Sequence, residues 1–175
     1  MTPVLDTEPN TDSDDEQEDV VLTWIENIKQ MAFIYDLSIE NLQESISRIS
    51  VVSFVLDAIG GTLNVLKSVL IPMKVDTNII LGITLAGLGL NCVSMVVGQM
   101  PRLKGWTEKI KNQQKFLTAA ETFVSEATVK HDLGKCDVPF LDEYSTKYLG
   151  LIRSPPELDR GYYLRSLKMY KSRNL

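Results

Sequence analysis

Residues 78–100 read NIILGITLAGLGLNCVSMVVGQM, and this stretch decides the fold. It contains no charged residue, and Pro101 and Arg102 follow it directly. About 20 apolar residues cross the hydrocarbon core of a bilayer as an α-helix, and the stretch reaches that length. Its four glycines are typical of membrane helices, where glycine is more frequent than in soluble ones. The sequence therefore predicts a membrane-spanning helix at 78–100.

A second apolar segment, residues 49–71, is interrupted by polar side chains. An aspartate at the centre of a membrane helix costs roughly 2.5–3.5 kcal/mol on insertion scales, so Asp57 argues against a span taken alone. The polar and small residues recur every three or four positions, however, and therefore form one stripe on a helix: Ser50, Ser53, Asp57, Gly60, Asn64 and Lys67. Residues 78–100 carry a matching stripe: Thr84, Gly87, Asn91, Ser94 and Gly98.

The short connection at 72–77 makes the two predicted spans antiparallel neighbours. Folding the chain about Lys74 sets Asp57 near Asn91 and Gly60 near Gly87, so polar and small residues meet at each level. Lipid gives helices no hydrophobic drive to associate, and close packing with interhelical hydrogen bonds takes its place. We call the predicted contact residues the polar seam: Ser53, Asp57, Gly60, Asn64, Lys67, Thr84, Gly87, Asn91 and Ser94.

Both predicted spans continue as amphipathic helices, at 19–48 and 101–130, with a bend or break expected at Pro101. Their apolar residues recur at helical spacing and keep the same antiparallel register, which predicts a coiled stalk. The stalk contacts would include Ile28, Tyr35, Ile39, Leu42, Trp106, Ile110 and Leu117. The predicted fold is all-α: an integral membrane two-helix hairpin with long cytosolic helical extensions, spanning residues 19–134, and a short helical region with a basic tail at 135–175.

Charge is unevenly distributed along the chain. Residues 1–19 hold eight acidic and no basic residues, whereas the whole chain has a net charge of −5. Residues 1–18 are therefore expected to form a disordered acidic tail. Arg102 and Lys104 follow the second span, and Arg48 precedes the first, while the connection offers Lys74. Positive charge stays inside, which predicts a multi-pass topology with both termini cytosolic.

The sequence predicts neither a catalytic set, a cofactor nor a metal site, and no nucleic-acid partner. His131 is the one histidine, and it is expected at a helix end. Ser13 stands in an acidic context and is a candidate phosphorylation site. Asp57 has two interpretations: a functional intramembrane carboxylate, or a structural group that fixes the hairpin. A single hairpin cannot enclose a pore, so conduction would require a homo-oligomer.

The order of elements resembles the SLATT family of two-transmembrane effector domains, which are associated with SMODS and SLOG proteins. The resemblance covers residues 20–153 and is architectural: a cytosolic helix, spans at 49–71 and 78–100, and a long amphipathic helix at 103–129. It implies an oligomeric, pore-forming or membrane-perturbing effector. The alternative is a structural membrane anchor or scaffold, for example in a virus or organelle, whose stalk docks a cytosolic protein partner. Neither interpretation requires an enzyme.

Overall fold

The computed structural model describes the backbone of residues 11–134 and 137–173, with side chains from residue 19 onward within those ranges. In these residues the chain is all-helical, with no strand, which confirms the predicted class. The five helices are α1 (Thr11–Leu70), α2 (Thr77–Leu103), α3 (Trp106–Asp132), α4 (Val138–Arg153) and α5 (Arg160–Arg173). Two long stretches, within Asp19–Leu70 and Thr77–Asp132, are apolar enough to cross a membrane. Residues 1–10 lie outside the described residues. α1 includes residues 11–18, which the sequence predicts to be part of a disordered tail, so that part of the prediction is wrong. The side chains of residues 11–18, among them the candidate phosphorylation site Ser13, lie outside the described ones.

The chain divides into two compact units. One comprises Met1–Ser38 with Lys111–Leu175 and is called the core unit here. The other comprises Ile39–Ile110 and is called the apolar unit. α1 contributes residues to both units, whereas α4 and α5 belong to the core unit.

The core unit is built around buried aromatic and aliphatic side chains from α1, α3 and α4. The rings of Tyr35 and Phe116 lie 4.6 Å apart, and those of Phe140 and Tyr144 lie 4.2 Å apart. Such tilted ring pairs add to the free energy gained by removing apolar area from water. The buried cluster consists of Val21, Ile25, Ile28, Tyr35, Phe116, Ala120, Phe123, Ala127, Phe140 and Tyr144.

Two buried polar side chains hold the segment that joins α4 to α5. The Tyr35 hydroxyl donates to the Pro156 carbonyl at 2.7 Å, and the Gln113 amide donates to the Glu157 carbonyl at 3.2 Å. Pro155 and Pro156 cannot donate backbone hydrogen bonds and end the helical run after Arg153. Burial raises the pKa of Tyr35, so the phenol stays neutral and keeps its donor.

In the apolar unit, α1 ends at Leu70 and a turn leads into α2. The Asp76 side chain accepts from the Asn78 backbone N–H at 2.7 Å and so caps α2. α2 continues through Pro101 and ends at Leu103, whereas the sequence places the bend or break at Pro101 itself. The chain breaks instead at Gly105, whose φ of +64° is a conformation that glycine adopts without steric cost.

Candidate functional site

A pair of serines joins α1 to α2 in the apolar unit: Ser53 of α1 contacts Ser94 of α2. Each hydroxyl lies 2.9–3.1 Å from the other residue's backbone carbonyl, and the two hydroxyl oxygens are 2.9 Å apart. Ser94 is only 1% exposed. Because serine is small, the two helix backbones can approach closely while the hydroxyls remain hydrogen-bonded.

Two glycines form the next level of this contact. A Cβ added to Gly60 would collide with the Asn91 amide oxygen, and one added to Gly87 would lie 3.3 Å from the Asn64 amide oxygen. The same Cβ on Gly87 would lie 3.7 Å from the Gly60 carbonyl oxygen. The two helices therefore approach each other where side chains are absent, and the contacts run in opposite directions along α1 and α2.

Asp57 is not covered by Asn91, contrary to the predicted pairing. Asn91 lies against Gly60, and Asp57 is exposed. Among the described residues, Asp57 has no hydrogen-bond or ion-pair partner. The physical reason is that α1 packs against α2 with a different face from the predicted one. The less exposed positions of α1 repeat at 53, 56, 60, 63 and 67, so Leu56 and Leu63 occupy the places that the prediction gave to Asp57 and Asn64.

The other predicted seam residues are distributed as follows. Lys67 and Thr84 are half-buried, and the Thr84 hydroxyl donates to the Ile80 carbonyl of its own helix at 2.8 Å. Asn64 is exposed although its amide oxygen faces Gly87. The structure thus places Ser53, Gly60, Gly87, Asn91 and Ser94 in the contact and leaves Asp57 and Asn64 at its edge.

A second set of polar and small residues on α1 faces outward. All its members are exposed, they follow one another at spacings of seven, four, three and four, and a Cβ on Gly61 would meet nothing within 4 Å. We call this set the outer polar stripe: Ser50, Asp57, Gly61, Asn64 and Ser68. Asp57 and Asn64 also belong to the predicted polar seam, because both sets of residues recur at helical spacing.

Large apolar side chains are exposed along residues 51–103 of the apolar unit. Phe54 is 72% exposed and Met95 is 69% exposed. In the most apolar windows of the two long helices, only 6% and 11% of the residues are buried. Most of the residues in these apolar windows are therefore not buried within this chain.

The stalk residues fall in both units. Ile28, Tyr35 and Ile39 are buried, whereas Leu42, Trp106, Ile110 and Leu117 are half-buried. Phe116 and Phe123 supply the buried aromatic face of α3 and are not among the predicted stalk residues. They are seven residues apart and lie on the same buried face of α3 as Ala120 and Ala127. This spacing of two large aromatic residues is the signal that could have predicted them.

A polar cluster and a groove lie beside each other on α3 and α4 of the core unit. Glu126 accepts hydrogen bonds from Tyr144 at 3.0 Å and from Lys147 at 3.1 Å, and Lys147 also pairs with Glu143 at 2.8 Å. Glu126 and Lys147 border an open groove of about 440 Å³. The groove is lined by Ala119, Thr122, Phe123, Glu126, Lys147, Gly150 and Leu151.

The described residues include one histidine, His131, and one cysteine, Cys92. Gly134, at φ +62°, follows the end of α3, and its N–H donates to the His131 carbonyl at 2.8 Å. The His131 ring lies 3.5 Å from the Asp132 carboxylate. Cys92 is exposed on α2, and Cys136 lies outside the described residues. Within the described ranges, no three His, Cys, Asp or Glu side chains are grouped to hold a metal ion.

The fold and the contact site define an all-helical protein with two long, outwardly apolar helices. No family model, no curated protein and no solved structure matches this chain.

Proposed function

We propose that the apolar unit is a two-span antiparallel hairpin embedded in a membrane. The observation that carries this proposal is the exposed apolar surface of α1 and α2, of which Phe54 and Met95 are examples. Soluble monomers rarely expose apolar patches larger than a few hundred Å². A bilayer removes this surface from water, and the helices satisfy their own backbone hydrogen bonds inside it. Both arms lie in the cytosol, on the side that carries Arg48, Arg102 and Lys104.

The hairpin assembles with further copies of itself through the outer polar stripe. Asp57 faces outward among apolar residues, where lipid would leave its carboxylate unpartnered. Asn64 is exposed at the edge of the contact with α2, where its amide oxygen faces Gly87. Gly61 lies between Asp57 and Asn64 and leaves space for a second helix. Carboxyl and amide groups from neighbouring copies can hydrogen-bond across such an interface, and small residues allow the backbones to approach.

In this assembly the protein acts as a pore-forming or membrane-perturbing effector. Ring assembly brings the Asp57 side chains of several copies to one path, and rings of carboxylates select cations. Asn91 packs against Gly60 and supports the hairpin rather than lining the path. The order of a cytosolic helix, two spans and a long amphipathic helix, which resembles SLATT effectors, supports the same function.

Current across a planar bilayer tests the pore. The wild-type protein is expected to give discrete cation currents, and Asp57→Leu is expected to lose them while inserting normally. Thr62→Leu is the matched control, because Thr62 is exposed on the same helix and bonds its hydroxyl to the Ala58 carbonyl of its own helix. Currents that survive in Asp57→Leu would contradict the proposed role of Asp57.

The second candidate function is a membrane anchor that docks a cytosolic protein, and the groove on α3 and α4 favours it. Its floor is apolar at Phe123 and Leu151, while Glu126 and Lys147 supply charge at its edge. Such a site fits an apolar side chain flanked by polar groups. A silent bilayer, with the protein shown to be inserted, would favour this function over the pore.

A further inference from the structure

The exposed apolar surface of α2 ends in a short basic segment. Leu103, the last residue of the helix, is 77% exposed, and the neighbouring Arg102 and Lys104 are exposed as well. Within the described part of the chain, neither cation forms an ion pair. An exposed leucine between two unneutralised cations marks the level where hydrocarbon gives way to headgroups, if the apolar unit spans a bilayer as proposed.

Trp106 completes this segment. The Lys104 ammonium lies 5.0 Å from the centre of the Trp106 ring, over its face. The positive φ of Gly105 turns the chain between α2 and α3 at this point. When one side of a lysine ammonium faces an aromatic ring, its other N–H groups can still donate hydrogen bonds to an anion. Tryptophan is enriched at the membrane–water interface because its ring is apolar and its N–H is polar.

Basic residues lie at both ends of the proposed hairpin, and Arg102 and Lys104 share one end with Arg48. Arg48 lies at the same end in the proposed hairpin, but Glu44 neutralises it through a contact of 2.6 Å. At the opposite end, the turn carries Lys74 together with Asp76, so its net charge is zero. Among the described residues, Arg102 and Lys104 are therefore the basic residues that directly flank a span at this end without an ion-pair partner.

We propose that Arg102, Lys104 and Trp106 form a binding site for the headgroup of an anionic phospholipid in the leaflet that faces the arms. The guanidinium of Arg102 can hold a phosphate through two parallel hydrogen bonds, and Lys104 adds a point charge beside it. Leu103 contacts the upper acyl chain, and the Trp106 ring lies at headgroup level. The inference rests on the proposed insertion in a membrane and adds a preference for one lipid class.

Quenching of Trp106 fluorescence by brominated lipids tests the site. The full chain carries Trp24→Phe, which leaves Trp106 as the one tryptophan. It is placed in phosphatidylcholine vesicles that contain equal fractions of brominated phosphatidylserine or brominated phosphatidylcholine. Brominated phosphatidylserine is expected to quench Trp106 fluorescence more strongly than brominated phosphatidylcholine. The relative association constant of phosphatidylserine is expected to be about fivefold or more above that of phosphatidylcholine.

Two variants separate a site from a general effect of charge. Arg102→Gln with Lys104→Gln is expected to bring the ratio to about one, whereas Lys74→Gln, at the opposite end, is expected to leave it unchanged. Equal quenching by both lipids in the parent protein would overturn the lipid site and leave the membrane proposal standing. No quenching by either lipid would overturn the placement of Trp106 at the membrane, and with it both proposals.

Discussion

Glu126 shows how one exposed carboxylate can be held by several neighbours. Hydrogen bonds from Lys147 and then Tyr144 lower the pKa of Glu126. The same cluster raises the pKa of Lys147, through its hydrogen bonds to Glu143 and Glu126. Burial, followed by the bond to Glu126, raises the pKa of Tyr144, which therefore remains a neutral donor. Charged Glu126 and Lys147 thus stabilise the contact between α3 and α4.

The lowered pKa of Glu126 makes the core unit sensitive to acid. Its contribution to stability is fully present above the unfolded value of 4.5 and is lost as the pH falls through the lower folded value. Glu126→Gln is expected to lower the melting temperature at neutral pH by about 1–3 °C, because the pair is exposed and screened. The melting temperature of the Glu126→Gln variant is also expected to fall less between pH 7 and pH 3 than that of the parent protein. Thermal melts followed by circular dichroism over this pH range measure both effects.

Glu121→Gln is the control for this prediction. Glu121 is an exposed carboxylate on the same helix and forms no ion pair to another described residue. An identical pH profile for the two variants would show that the cluster around Glu126 does not stabilise the fold.

At the scale of helices, the sequence predicted correctly which segments are helical and apolar. It did not predict correctly which face of α1 packs against α2. The absence of charge in residues 78–100 and the three–four spacing of apolar residues were enough to predict long helices and an all-α fold. Spacing alone, however, does not decide between two neighbouring faces of a helix. On α1, positions 53, 60 and 67 fit both a stripe through Asp57 and one through Leu56, and the structure adopts the second.

The same ambiguity explains the missed face of α3. Ala120 and Ala127 belong to a stripe through Leu117 and also to one through Phe116, and the structure buries Phe116. The break at Gly105 allows the phase of α3 to differ from that of α2, so the register could not be carried across it. Contacts with α4, such as Phe123 with Tyr144 at a ring distance of 5.8 Å, depend on tertiary packing that periodicity does not contain.

The contact between α1 and α2 gives a prediction at this scale. Gly60→Leu is expected to separate the helices, because a side chain there would collide with Asn91, at a cost of about 1–3 kcal/mol. Gly82→Leu is the matched control, since a Cβ on Gly82 meets nothing within 4 Å. The measurement is the rate of disulfide formation between cysteines placed at Ser53 and Ser94, with the native cysteines replaced.

Disulfide formation that is slower for Gly60→Leu than for Gly82→Leu would support the contact. Equal rates in the two variants would show that α1 and α2 do not pack through Gly60.

At the scale of the whole molecule, the two units differ in which surface is apolar. The core unit buries its aromatic side chains, among them Phe116, Phe123 and Tyr144. The apolar unit instead exposes its large side chains and turns serine and glycine inward. This inversion is what a change of solvent from water to lipid requires, because water favours burial of apolar side chains and lipid favours burial of polar ones. The inversion is therefore expected only if the apolar unit lies in a membrane.

Labelling of single cysteines in sealed vesicles tests that claim most directly. In a chain without Cys92 and Cys136, one cysteine is placed at Gln43, Lys74 or Thr107, all of which are exposed positions of the apolar unit. The account predicts that a membrane-impermeant maleimide reaches positions 43 and 107 from the same side of the membrane and position 74 from the opposite side. Labelling of all three positions from one side, without permeabilisation, would contradict the two-span hairpin.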